Sequence, residues 1–380
     1  LEAGRFLTTG SNSVFVGFEA GKGIDGTKLT GGDNVGVGYR AGYLLQGTAT
    51  RNTIVGYTAA DALTTGDQNT VMGYDALGAG IASYYNTAFG TGALRADTTG
   101  RNSVAVGISA LYSQNTTGSA DMHNTAVGSG AGFNVTTGYQ STYIGGLAGY
   151  FATTADTTTF VGFKAGQGID GAKLTGNHNV AVGANAGLLL QGAAAENTVV
   201  GTGSGDAITT GTRTVAVGYN AGGGITTGDS NVAIGWQALM TEDAHSNNVA
   251  VGASALQTQN AGAHAYNVAV GFEAGKIITD GANNTFVGGL AGDATDDGAN
   301  VAVGTSSLSA NCGDKNTAVG YAAGFATTGA DNTVVGHEAG KGLLGGTGNT
   351  LIGSSAGDAI TTGDSNVQLG YLTAASAVDV

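Results

Sequence analysis

Short bursts of alternating apolar and polar residues recur along the whole chain, and each burst ends at a glycine, as in Asn231-Val232-Ala233-Ile234-Gly235-Trp236-Gln237-Ala238-Leu239. Aligned on that glycine, 21 copies run from Gly17 to Gly370, mostly 16 to 18 residues apart and at most 21. Three residues before the glycine stands Val or Thr, and one residue before it an apolar residue. Two β-branched or apolar positions two apart form one face of a short strand, a period of two and not of 3.6. The pattern predicts that this face enters a core and that the variable residue between, such as Ala126, Phe160 or Gln368, faces outward.

The positions flanking each strand read as turns. Four residues before the glycine, 16 copies have Asn, among them Asn52, Asn69, Asn231, Asn248, Asn316 and Asn332; the others have Ser13, Ser103, Ser141, Thr158 and Thr214. These side chains bond local backbone, and identical ones stacked on successive coils form a ladder. The aligned glycines, Gly235 and Gly252 for example, sit where φ turns positive or the backbone passes closely. Three residues later 18 copies have Ala, a place squeezed between backbones, and seven residues before the aligned glycine 13 copies have a second Gly that marks the other corner. Two short extended segments and two corners bury nothing alone but make one coil of a stack.

The predicted fold is therefore all-β: a parallel β-solenoid, or β-roll, of about 21 coils of 16–21 residues, with residues 1–380 as one continuous repeat domain. Residues 15–47 match 160–192 at 24 of 33 positions, an internal duplication at an offset of 145. Insertions near 22–33, 112–123, 167–178 and 253–266 predict loops on one edge.

Composition narrows the alternatives. Gly numbers 71 without a three-residue period and Pro is absent, which excludes collagen; scarce charge, 11%, with 41% hydrophobic residues argues against disorder. A net charge of −14 without a basic cluster opposes nucleic-acid binding. No apolar run reaches the roughly 18 residues of a membrane-spanning helix, so no membrane insertion is expected. The start lacks a basic-then-apolar signal and reads as processed or as a fragment. Cys312 stands alone, outside any disulfide framework.

The segment Asn102-Ser103-Val104-Ala105-Val106-Gly107-Ile108-Ser109-Ala110 resembles the head repeats of trimeric autotransporter adhesins, whose Ser-Val-Ala-Ile-Gly motifs build a left-handed parallel β-roll within a trimer. Ala110 to Gly118 followed by Asn124-Thr125-Ala126-Val127-Gly128 is similar to the repeat arrays of phage tail-fibre-like proteins. The adhesin repeat is shorter, so wider turns are implied here. The resemblance implies a homotrimer. Outward Phe15, Phe160 and Phe286 would lend it support by needing cover from other copies.

Candidate chemistry is sparse. Asp293, Asp296 and Asp297 form the densest acidic cluster and Glu242-Asp243 the next; neither has a basic neighbour, and both read as solvated turns and not as a catalytic pair or a calcium loop. The five histidines, His123, His178, His245, His264 and His337, occupy unequal repeat positions, so no metal stack is expected. Directly after the aligned glycine a column of aromatics includes Tyr39, Tyr57, Tyr74, Tyr219, Trp236 and Tyr321, either a packing column or a strip on which sugar rings stack. These features predict an extracellular structural or adhesive fibre, a tail-fibre or adhesin shaft whose partners are itself and cell-surface glycans. Loops near Lys22–Lys28 and Lys164–Lys173 are glycan-contact candidates, and no cofactor or catalytic residue is expected. Two alternatives stand beside this reading. One is a filament subunit that polymerises end to end through open coil edges. The other is a β-helix enzyme that degrades polysaccharide.

Overall fold

The computed structural model describes residues 2–373 apart from 117, 119 and 261–264; His264 and part of the 253–266 insertion thus lie outside the described residues. The fold is an all-β parallel β-solenoid of about 21 turns, without helix among the described residues. The chain divides into two compact units, Leu1–Glu196 and Asn197–Val380. The first holds ten strands, from β1 (Val14–Val16) to β10 (Val180–Val182), and the second eleven, from β11 (Thr198–Val200) to β21 (Val367–Leu369). Within each unit every strand pairs in parallel and in register with the next. Val232, Ala233 and Ile234, for instance, oppose Val249, Ala250 and Val251.

Pairing continues around the coil beyond the strands. The Leu77 N–H donates to the Ala93 carbonyl and the Ile81 N–H to the Thr98 carbonyl, both at 2.9 Å. Backbone groups at turns are thus satisfied by the next coil and by bonds within the turn, as from the Gly80 N–H to the Leu77 carbonyl at 3.0 Å. The aligned glycine starts the corner because nothing larger fits. Gly235 has φ +135°, and a Cβ there would meet the Gly252 carbonyl oxygen at 2.4 Å. The chain then passes through the left-handed region at the second and fourth residues after it, as at Ser254 (φ 56°) and Leu256 (φ 48°).

The strands face the other way from the sequence expectation. The middle residue points into the coil: Ala126, Tyr143, Phe160, Ala233 and Phe286 are fully buried, and the flanking Val, Thr and Ile side chains line the outside. Phe15, in the first coil, is half-buried, and a Cβ at Gly36 would meet its ring at 2.7 Å. Alternation shows which residues share a face and not which face is inside. The interior is narrow, which suits Ala as the commonest middle residue, and eleven of the outward first positions are Thr, which a dry core disfavours. The aromatic residues taken as a reason for a trimer are therefore covered by their own coil.

Most coils fill their interiors in one of two ways. Where Leu stands four residues after the aligned glycine, the strand's middle residue is small: Ala88, Ala105, Ala233, Ala250 and Ala302 accompany Leu94, Leu111, Leu239, Leu256 and Leu308, and Val71 accompanies Leu77. Where the fourth residue is Gly, the space goes to a large middle residue or to an aliphatic seven residues after the glycine. Phe160 lies against Gly166 (hypothetical Cβ at 2.5 Å), and Leu45, Ile208 and Ile225 are fully buried.

The buried Asn column bonds in two directions. The Asn69 amide donates to the Ser83 carbonyl (2.8 Å) and to Asn52 Oδ1 (3.0 Å), and its own Oδ1 accepts the Asn86 N–H (3.1 Å). Asn248, Asn316 and Asn332 accept the N–H of the next coil's Asn in the same way. Three of the insertions return to the ladder: Leu29 bridges Leu7 and Gly47, Asp121 bridges Arg101, and Leu174 bridges Ala152 and Gly192.

Candidate binding surface

With the strands turned this way, each unit presents outward a two-column face, Thr or Val in one column and mostly Val or Ile in the other, with Met72, Phe89 and Leu369 the exceptions, and no charged residue in either. Its apolar side chains are open to solvent: Ile234 is 38% exposed, Val270 37% and Val287 38%.

Beside this face run the aromatics. Phe18, Tyr39, Tyr57 and Tyr74 form a continuous stack, with ring centroids 5.4, 4.7 and 5.7 Å apart and planes within 15° of parallel. The stacking follows from register, since equivalent residues of successive coils lie one strand spacing apart. Tyr219, Trp236 and Tyr321 occupy the same place in the second unit and are about half exposed; Tyr321 stacks on His337 at 5.2 Å. After Tyr74 the first column ends, because Thr91 and Ile108 follow it in the next two coils. A second aromatic stack begins five residues after the aligned glycine: Tyr112, Phe133 and Tyr150, at 4.9 and 4.8 Å.

The shift from one column to the other leaves a hollow. Between Tyr74 and Tyr112 lies a recess of about 270 Å³, floored by Thr91 and Gly92. Arg95 and Asp75 form its side and separate it from a second recess of about 360 Å³ over Gly78, Ala79 and Ala96. The Arg95 guanidinium is paired with Asp75, donates from Nη1 to the Tyr112 hydroxyl (2.8 Å) and lies over the Tyr112 ring at 5.5 Å. That pairing, Asp75 first, holds the guanidinium pKa above its ordinary value.

A cluster of ion pairs sits near the start of the chain. Lys22, in one predicted glycan-contact loop, lies 2.6 Å from both Glu2 and Glu19, and Arg40 reaches Glu19 at 2.8 Å. The hydrogen bond from Lys22, then that from Arg40, holds the Glu19 carboxyl below the usual range. Asp296 and Asp297 share a shallow recess with Asp280 and Asp314, and Asp293 is not part of its lining. Asp296 is bound by Thr279, whose N–H and hydroxyl reach it at 2.5 and 2.7 Å. Among the described residues no group of three or more His, Cys, Asp or Glu is placed to hold a metal ion. No helix of the described residues is long and apolar enough to cross a membrane.

Glu242 corrects the expectation of a solvated turn. It is fully buried inside its coil, 2.8 Å from His245 Nδ1, and accepts from Gln259 Nε2 at 2.9 Å. Asp97 and Gln114 repeat the pair in the first unit, also fully buried, with Gln114 Nε2 donating to Asp97 at 2.9 Å. Burial pushes the Asp97 carboxyl up against the lowering effect of its hydrogen bonds. Each member lies 145 residues from its counterpart, the offset of the duplication. The signal was available: Asp97 and Glu242 stand seven residues after the aligned glycine, the place held by buried Leu63 and Ile208 elsewhere. Arg95, Asp75 and Tyr112 were also missed, since only the folded register sets them beside Tyr74. Against these features, no protein-family model matches the chain, and no curated protein is detectably similar to it.

Proposed function

We propose that this protein is an extracellular structural and adhesive fibre element, in which copies of the chain associate as a homotrimer through their outward Val/Thr faces and present aromatic columns and loops to surface glycans. One observation carries the assembly: the coil interiors are already filled, yet a regular, uncharged face of partly exposed Val, Ile and Thr remains on each unit. Contiguous apolar surface of that kind marks association sites. Covering the exposed part of one Val or Ile per rung contributes roughly 1 kcal/mol. Eleven rungs in the second unit then supply on the order of 10 kcal/mol. That is of the size needed to offset the rotational and translational cost of association. A second copy offers the same repeat spacing, so contacts made at one rung recur at every other. The adhesin-like repeat supports the number three and the exterior location.

Sedimentation tests this directly. The wild-type chain is expected to run as a discrete trimer at micromolar concentration. The Ile234→Glu, Val270→Glu double variant, altered only on outward positions, is expected to run as a monomer with unchanged β-sheet circular dichroism. A wild-type monomer overturns the proposal, and long concentration-dependent polymers replace it with end-to-end filament growth.

A further inference from the structure

We propose that the recess between Tyr74 and Tyr112 is a binding site for a neutral pyranose unit of a glycan, with the paired Arg95 and Asp75 addressing its hydroxyls. This deepens the adhesive part of the function proposed above and rests on it. The recess has the two things a sugar ring requires. Tyr74, 56% exposed and stacked on Tyr57 by one face, offers its other π-face to the weakly positive C–H groups of a pyranose, and Tyr112, whose ring is held between Phe133 and Arg95, forms the opposite wall. Between them, Arg95 and Asp75 present donors and acceptors in a fixed arrangement, held by their mutual pairing and by the Tyr112 hydroxyl at 2.8 Å. Their charges cancel, and the chain carries −14 overall, so the site favours a neutral ring over a uronate or sulfated one. The adjoining recess across Arg95 extends the surface in the direction a second sugar would take.

The internal duplication supplies a control. At the offset of 145, Tyr74 corresponds to Tyr219, but Gly92, Arg95 and Tyr112 correspond to Gln237, Met240 and Gln257. There the floor is occupied, and Gln257 Nε2 donates to Gln237 Oε1 at 2.7 Å. The backbone does not demand the glycine: Gly92 has φ 64° and Gln237, at the equivalent place, φ 53°. What Gly92 provides is the open floor.

The test titrates the full chain with cellobiose, lactose, maltose and mannobiose, and with digalacturonate as the charged control, by calorimetry and saturation-transfer NMR. At least one neutral disaccharide is expected to bind, and Gly92→Gln to weaken it by at least about tenfold while sedimenting as wild type. Tyr112→Ala, which leaves the backbone alone, is expected to weaken it similarly. Failure of all four neutral sugars to bind, binding of digalacturonate alone, or undiminished binding by both variants overturns the site. Loss of the trimer in wild type would show in sedimentation and leave these titrations intact, so the two proposals fail separately.

Discussion

Removing one rung of the asparagine ladder should leave two buried backbone groups without partners. In Asn69→Ala the Ser83 carbonyl loses its 2.8 Å donor and the Asn86 N–H its 3.1 Å acceptor, both inside the coil. Asn52 Oδ1 keeps the Asn69 N–H at 3.0 Å and is not orphaned. Two buried groups left without partners at about 1–3 kcal/mol each give about 4 kcal/mol. Asn69→Ser should cost less, about 1–2 kcal/mol, because a hydroxyl retains the acceptor. The protein already uses it so: Ser13 Oγ accepts the Asn34 N–H and Ser141 Oγ the Thr158 N–H, each at 3.2 Å. Stacked repeats unfold locally, so a global midpoint is the wrong readout. The useful probe is amide exchange at Thr87, whose own bond to the Ser103 carbonyl (2.9 Å) the substitution leaves in place. Its protection should fall by about three decades in the Ala variant and about one in the Ser variant, at 1.4 kcal/mol per decade. Equal effects of Ser and Ala, or less than about tenfold for Ala, would refute the ladder as the source of stability.

Two further predictions follow from the coil interiors. Phe160→Ala should destabilise by about 3–4 kcal/mol, and Gly166→Leu alone by about 2 kcal/mol or more through overpacking. The pair together should recover at least about 1 kcal/mol of the sum, since Ala with Leu is the arrangement of Ala88 and Leu94; additive losses in a double-mutant cycle would show the two positions to be independent. For the buried acid, the raised folded-state pKa of Asp97 means that its contribution to stability is fully present below the ordinary carboxylate pKa and is lost as pH rises through the raised value. Wild type should therefore gain stability relative to Asp97→Asn as pH falls from 7 toward 4; denaturation curves that keep a constant offset across that range would contradict it.

The repeat, its register and its parallel strands were legible because the aligned glycine admits no side chain and the asparagine before it bonds from coil to coil. Those constraints recur in every copy and leave a direct trace in the sequence. The direction of the strand faces left a weaker one. Val and Ile suit either side of a thin sheet, and only the frequency of Thr outside and Ala in the middle distinguishes them. Tyr74 was recognisable as one member of a column. Its neighbours in the recess come from different columns and different coils, so comparison of Gly92 with Gln237 was the one sequence clue to the hollow.

The two ways of filling a coil restrict how this protein can evolve. Passing from a Phe–Gly interior to an Ala–Leu one requires two changes in the same coil, and the first of them alone either empties or overfills a space that tolerates neither. Copying whole blocks avoids that valley, because every coil arrives with its matched partners already inside. The duplication carries both outcomes: Phe15 and Gly21 return unchanged as Phe160 and Gly166, and where Val71 and Leu77 give way to Ala216 and Gly222, Ile225 takes up the space at the place of Gly80.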